Sequence, residues 1–119
     1  LLALLWFLPA AAFATNPIIT DAFTADPAAL VVGDTVYLYT GQDEAPTPGH
    51  QGYVMKRWLC YSSTDMVNWT PRGSPLAPTD FSWAKGDAWA GQVIARNGKF
   101  CWCSHFEHAS SRGKALFSG

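Results

Sequence analysis

The sequence predicts an all-β fold, and three features carry that prediction. Two pairs of β-rich runs are each joined by a two-residue turn, Gly33-Asp34 in the first pair and Asn97-Gly98 in the second. Two further short β-rich runs lie between the pairs, at residues 58–63 and around residues 69–70. No segment has the apolar periodicity of a helix longer than a turn or two. These features predict units of four antiparallel strands.

The chain opens with an uncharged apolar run of fourteen residues that ends in Ala12-Phe13-Ala14. The run is too short to span a bilayer, and its end has the small-x-small pattern that signal peptidase accepts. Pro9 argues against the alternative, an apolar core helix. We therefore expect residues 1–14 to be a signal peptide, residues 15–119 to belong to the folded domain, and the mature protein to be secreted or periplasmic.

Residues 15–25 are predicted to be an extended leading segment, because Pro17 and the Asp26-Pro27 step disfavour helix at the residues before them. The first strand is predicted at residues 28–32 and the second at residues 35–40, with Gly33 at the first position of the turn between them. The second hairpin has strands at residues 92–96 and 99–103. A Pro-rich loop is expected at residues 42–50, after the second strand.

The two hairpin turns lie about sixty-five residues apart, with two more strands between them, which indicates a repeating four-stranded unit. A β-propeller is built from such units, and the chain would hold one complete blade and part of the next. A small closed β-sandwich is the structural alternative. Residues 109–119 read as the start of another strand without a strand to close the sheet, which favours the propeller.

The composition narrows the choice of partners. The formal net charge is −1 and the basic residues are scattered, so neither nucleic acid nor an anionic membrane surface is indicated. Six Trp residues offer flat apolar faces of the kind that sugar-binding proteins use, although a packed β core also uses aromatic side chains.

The three cysteines, Cys60, Cys101 and Cys103, are an odd number, so at least one is outside any internal disulfide. In a strand, Cys101, Cys103 and His105 would point to one face, as metal ligands must. The paired spacing of zinc ligands and a second ligand cluster are both missing, so we expect ordinary strand residues here.

The candidate catalytic groups are carboxylates. In a propeller the first strand of each blade lies nearest the axis, and Asp26 and Asp87 stand where the innermost strands of the two blades begin. Glycoside hydrolysis needs paired carboxyl groups, one to protonate the leaving oxygen and one to activate water or attack the anomeric carbon. Spacing alone leaves each Asp equally open to a turn-forming role.

Several ordered motifs resemble glycoside hydrolase family 43, especially its β-xylosidases and α-L-arabinofuranosidases. They run from about residue 16 to residue 108: Asn16-Pro17-Ile18-Ile19, Thr24-Ala25-Asp26-Pro27-Ala28, Gly33-Asp34-Thr35-Val36-Tyr37-Leu38-Tyr39-Thr40, Tyr61-Ser62-Ser63-Thr64-Asp65-Met66-Val67-Asn68-Trp69-Thr70, Gly86-Asp87-Ala88-Trp89-Ala90, Arg96-Asn97-Gly98-Lys99-Phe100 and Glu107-His108. The resemblance implies a five-bladed β-propeller of which this chain would form about the first two blades. It also implies hydrolysis of xylosyl or arabinofuranosyl linkages in xylan, arabinoxylan or their oligosaccharides, with inversion.

The resemblance assigns roles residue by residue. Asp26 would be the general base, and Trp89 would line the subsite of the non-reducing sugar. Asp87 would either touch ligand or order a loop, and Gln42 stands where such family members often have a pocket His. The family's general-acid Glu and pKa-modulating Asp are expected in later blades, so Glu107 is not assigned as the acid. No cofactor is expected, although an axial calcium ion in the intact parent protein is consistent with the family.

Two alternatives to a catalytic fragment stay open from the sequence. One is a carbohydrate-binding or interaction module that holds sugar on Trp89 and nearby aromatic residues without cleaving it. The other is an inert gene fragment with uncovered sheet edges.

Overall fold

The computed structural model describes residues 17–45, 48, 52 and 54–108. The signal peptide expected at residues 1–14 and the strand start expected in residues 109–119 both lie outside the described residues. Six strands follow one another: β1 (Phe23–Val32), β2 (Thr35–Asp43), β3 (Met55–Ser63), β4 (Thr70–Leu76), β5 (Ala84–Arg96) and β6 (Lys99–His108), with a 3₁₀ turn at Pro78–Asp80 between β4 and β5. None of the described helical segments is long and apolar enough to cross a membrane.

The strands form one complete antiparallel sheet and the beginning of another. The first sheet has the order β1-β2-β3-β4, and β5 pairs only with β6 among the described residues. A four-stranded meander followed by the first hairpin of the next unit is the arrangement of one propeller blade and part of a second. The predicted all-β fold and its repeating unit are confirmed.

Both hairpin turns have the backbone that their sequences predict. Gly33 has a φ of 62°, and Asn97 and Gly98 have φ values of 52° and 72°. A type I′ turn needs positive φ at both central residues, which is why Asn-Gly is favoured there, whereas a type II′ turn needs it only at the first.

All six strands are longer than the sequence predicted, and the extensions of β1, β2 and β5 concern the candidate site residues. β1 begins at Phe23 rather than at residue 28, because Phe23, Thr24 and Ala25 pair with residues 41–43. The same pairing makes Gln42 and Asp43 part of β2, so the prediction that both belong to a loop is wrong. β5 begins at Ala84 rather than at residue 92. Asp26 and Asp87 therefore lie inside strands rather than at their starts.

The second sheet packs against one face of the first through an aromatic core. Trp58 of β3 is fully buried, and its ring centroid lies 5.1 Å from that of Trp102 and 5.3 Å from that of Phe106, both in β6. Met55 and Ala88 complete the buried cluster. The strands β1, β2 and β3 all contact β5, so the two innermost strands, β1 and β5, lie side by side.

The turn between β3 and β4 is held by one carboxylate. Asp65 accepts hydrogen bonds from the backbone N–H groups of Val67 and Asn68, from the Asn68 side chain, and from the Ser63 hydroxyl, at 2.8–2.9 Å. These donors hold the pKa of Asp65 well below its ordinary value, the Asn68 backbone contributing most. The turn thus depends on an ionised Asp65.

Candidate active site

Asp26 lies in a β-bulge of the innermost strand of the first blade. Ala25 pairs with Gly41 and Ala28 with Tyr39, so Asp26 and Pro27 together face the single residue Thr40. Asp26 has a φ of 52°, a left-handed conformation that is uncommon outside glycine. Backbone strain of this kind, about 1–3 kcal/mol per residue, clusters at functional sites. Asp26 is exposed to solvent.

Trp89 lies in the matching bulge of the second blade. Ala88 pairs with Phe106 and Gly91 with Ser104, so Trp89 and Ala90 together face the single residue His105. In each blade, therefore, the innermost strand carries one extra residue at nearly the same distance from the hairpin turn. Bulges redirect side chains next to active sites, and here they present a carboxylate from one blade and an indole from the next.

Hydrogen bonds from two directions hold the Trp89 bulge. The Trp58 indole N–H donates to the Trp89 carbonyl oxygen at 3.0 Å, and the Ser104 hydroxyl lies 3.2 Å from the same oxygen and 3.0 Å from that of Ala90. Trp58 belongs to the first blade and Ser104 to the second. The position of Trp89 is therefore fixed across the interface between the blades.

The sequence analysis took Asp87 as the second-blade counterpart of Asp26, and the structure offers Trp89 as well. Asp87 stands four residues into β5, as Asp26 stands four residues into β1, so the two match when counted from the strand starts. Counted from the bulges, however, the counterpart of Asp26 is Trp89. Asp87 lies in the irregular stretch between the pairs Ala84–His108 and Ala88–Phe106, and its side chain is half-buried.

Asp43 lies on the strand that pairs with the Asp26 bulge. Its Oδ1 atom is buried and has no hydrogen-bond partner among the residues described. Burial raises the pKa of Asp43, and the negative charge of Asp26 raises it further. The charge of Asp26 thus acts on the Asp43 carboxyl group within the first blade. The sequence reasoning placed Asp43 in a solvated loop and missed this, although its position only seventeen residues after Asp26 across one hairpin is a usable signal.

Gln42 occupies a different surface from Asp43. Its Oε1 atom accepts a hydrogen bond of 2.8 Å from Nε of Arg57, its direct partner across β2 and β3. Together with Asp21, Arg57 and Tyr61 it lines a surface cleft of about 270 Å³. Asp26 and Trp89 do not line this cleft, so the described contacts of Gln42 connect it to Arg57 rather than to either bulge.

The Cys101-to-His105 stretch forms part of β6. All three cysteines are free, and the described residues contain no group of three or more side chains arranged to hold a metal ion. The stretch is regular strand, and the expectation that it binds no metal stays a prediction. Within the described part of the chain, the same finding applies to a calcium ion, for which no ligand cluster is present.

The fold is that of neighbouring β-propeller blades, with a carboxylate and an indole in the bulges of adjacent strands. Comparison with known proteins specifies the family. The family model described as glycosyl hydrolases family 43 matches residues 14–117, so the chain belongs to glycoside hydrolase family 43. The fold class predicted from the sequence, part of a five-bladed propeller, is confirmed with it.

Individual relatives agree with this assignment. The chain is 31% identical over 102 residues to an arabinoxylan arabinofuranohydrolase of Bacillus subtilis (strain 168), covering 71% of this chain and 20% of the relative. An α-L-arabinofuranosidase structure from Clostridium thermocellum is 35% identical with a TM-score of 0.57, over 75% of this chain and 30% of that one. The structure of a Xanthomonas citri enzyme complexed with xylotriose is 28% identical with a TM-score of 0.66, and the match covers 78% of this chain and 27% of that one. The chain therefore spans less than a third of the length of each.

Proposed function

We propose that this chain supplies the first two blades of an exported glycosidase that cleaves xylosyl or arabinofuranosyl linkages in plant hemicellulose by an inverting mechanism. The observation that carries the proposal is the Asp26 bulge. An exposed carboxylate with left-handed backbone sits on the innermost strand of a family 43 blade, within the Asp-Pro motif that resembles the family's general base.

Asp26 acts as the general base in this proposal. Its ionised carboxylate accepts a proton from a water molecule, and that water attacks the anomeric carbon from the face opposite the leaving group. In an inverting enzyme the acid and base are about 6.5–9.5 Å apart, which leaves room for the water. The exposure of Asp26 is compatible with holding such a water.

Trp89 forms the apolar wall of the sugar subsite. Hydrogen bonds to its carbonyl oxygen hold the backbone from which the indole projects, and the flat indole face suits the C–H face of a pyranose or furanose ring. Asp87, two residues earlier on the same strand, either contacts the sugar or orders the strand beside it.

The general acid and the pKa-modulating carboxylate come from later blades in this proposal. The 119-residue chain on its own is therefore inactive, because an unprotonated leaving group slows the reaction by about two to four orders of magnitude. Substrates are xylan, arabinoxylan and their oligosaccharides, which agrees with an arabinoxylan-active relative and with a relative that binds xylotriose. A calcium ion, if the family's axial site is present, takes its ligands from outside the described residues.

The test is Asp26→Asn in the intact enzyme that carries this chain, with aryl β-xyloside and aryl α-L-arabinofuranoside as substrates. Asn tolerates a left-handed backbone as well as Asp does, so the bulge should persist. We expect kcat/KM to fall by about two to four orders of magnitude. Asp34→Asn in the exposed β1–β2 turn is the matched control and should keep wild-type activity. Activity retained in Asp26→Asn contradicts the assignment of the base.

The stereochemistry and the binding alternative need separate measurements. Proton NMR of the first product formed should show the inverted anomer, and a retained anomer would contradict the mechanism. A carbohydrate-binding module is favoured instead if calorimetry detects xylo-oligosaccharide binding while the intact protein turns over neither substrate.

A further inference from the structure

His105 is the residue that faces the Trp89 bulge. The pairing of Ala88 with Phe106 and of Gly91 with Ser104 leaves His105 alone opposite Trp89 and Ala90. Its imidazole centroid lies 5.0 Å from the centroid of the Trp89 ring, with the ring planes at 62°. The two rings therefore meet edge to face rather than stacking.

The imidazole of His105 is available for a ligand. The side chain is exposed, and no described residue makes a hydrogen bond to either ring nitrogen. Ser104 approaches only the backbone carbonyl of His105, at 3.5 Å. A neutral imidazole has one donor and one acceptor, and both are unused by the described part of the protein.

The surroundings hold this pair in place. Ser104 precedes His105 and bonds the bulge carbonyls, while Trp58 reaches the Trp89 carbonyl from the first blade. A polar group with free donors and acceptors, fixed at the edge of an aromatic platform, is the composition of a small-molecule site in which an apolar surface gives contact area and a few polar groups give orientation.

We propose that His105 is a sugar-contacting residue of the Trp89 subsite. The indole carries the apolar face of the sugar, and the imidazole makes a hydrogen bond to a hydroxyl at the edge of the same ring. This inference rests on the proposed function, because it takes Trp89 as a sugar platform. It adds a specificity-determining group from β6, the strand that pairs with the Trp89 bulge.

The experiment measures kcat and KM of the intact enzyme with His105→Phe, His105→Ala and the control Cys101→Ser. Phe keeps an aromatic ring against Trp89 but has no hydrogen-bonding atom, whereas Cys101 shares the strand and its face but lies four residues closer to the hairpin turn. We expect KM to rise about tenfold in both His105 variants, with kcat changed less than about twofold, as for loss of a substrate hydrogen bond. Cys101→Ser should match the wild type.

Substrates that lack single hydroxyl groups identify the contact. With 2-, 3- and 4-deoxy aryl xylosides, one substrate should give the same KM for the wild type and His105→Phe, because the hydroxyl that His105 binds is already missing. The inference is overturned if His105→Phe behaves as the wild type, or if it restores what His105→Ala loses, since ring packing alone would then explain the residue. Activity retained in Asp26→Asn is a separate result and contradicts the proposed function itself.

Discussion

Gly91 determines how closely the two blades approach, and replacing it tests the packing directly. A Cβ atom at this position would lie 2.7 Å from Nε1 and 2.9 Å from Cδ1 of Trp58, and closer still to the Trp102 ring. Both indoles are part of the interface between the sheets, and Trp58 is fully buried. In Gly91→Ala, both rings would have to shift, because a Cβ atom cannot approach other heavy atoms this closely.

The expected cost combines three effects. Overpacking of a buried site costs about 1–3 kcal/mol. Weakening the Trp58 hydrogen bond to the Trp89 carbonyl adds about 1 kcal/mol. Ala also lowers the conformational entropy of the unfolded chain, which stabilises the folded protein by about 0.4–1 kcal/mol and offsets part of this cost. We therefore expect Gly91→Ala to lower the free energy of unfolding by about 2 kcal/mol.

Gly41→Ala is a matched control for this measurement. Gly41 is also a buried strand glycine, but a Cβ there would lie 3.6 Å from Cγ of Met55 and 3.8 Å from Oδ1 of Asp43, which is ordinary contact. Its stability should be unchanged or higher by about 0.5 kcal/mol. Urea denaturation of the intact protein, followed by tryptophan fluorescence, measures both variants. Equal stabilities for Gly91→Ala and Gly41→Ala would refute the close approach of Trp58 and Trp102.

Two further predictions concern carboxyl groups with shifted pKa values. Asp65→Ala should destabilise the β3–β4 turn. The pKa of Asp65 is lowered in the folded protein, so Asp65 stabilises the fold fully at pH values above its ordinary pKa of 3.8, and this stabilisation is lost as the pH falls through the folded pKa. Denaturation midpoints of variant and wild type should therefore converge in acid, and a constant difference would contradict the role of the ionised carboxylate. Asp43→Asn should stabilise the protein at neutral pH, because burial and the charge of Asp26 raise the pKa of Asp43 and disfavour its ionised form. That gain should vanish below the ordinary value of 3.8, where Asp43 is protonated in folded and unfolded chains alike, and a gain persisting there would point to packing instead.

The local signals in the sequence were sufficient to predict the hairpins. Gly33 and the Asn97-Gly98 pair have the positive φ values that their turn types need, and this preference depends only on the residues themselves. Strand ends were less predictable. Phe23, Thr24 and Ala25 have weak strand signals, and they become strand residues because the extended β2 supplies hydrogen-bond partners at residues 41–43. Tertiary pairing therefore decided what local propensity left open.

The positions of the bulges could not be predicted from the sequence pattern. A bulge shifts the alternation of a strand by one residue, so its position appears only when both strands are paired. Asp26 was identified through a family motif, and the structure adds the reason it stands out, which is its left-handed backbone opposite Thr40. His105 had no such motif. Its location opposite Trp89 follows from the register of β5 and β6 alone.

The two bulges also explain why a carboxylate and an indole come to neighbouring places. Asp26 precedes Gly33 by seven residues and Trp89 precedes Asn97 by eight, so each bulge lies at nearly the same distance from the turn of its hairpin. Because β1 and β5 lie side by side, repetition of one hairpin design places the two bulges on adjacent strands. In the proposed function the residue type at each bulge decides its role, with Asp26 as the base and Trp89 as the apolar wall of the sugar subsite. A repeated backbone feature with different side chains would then supply two different parts of one site.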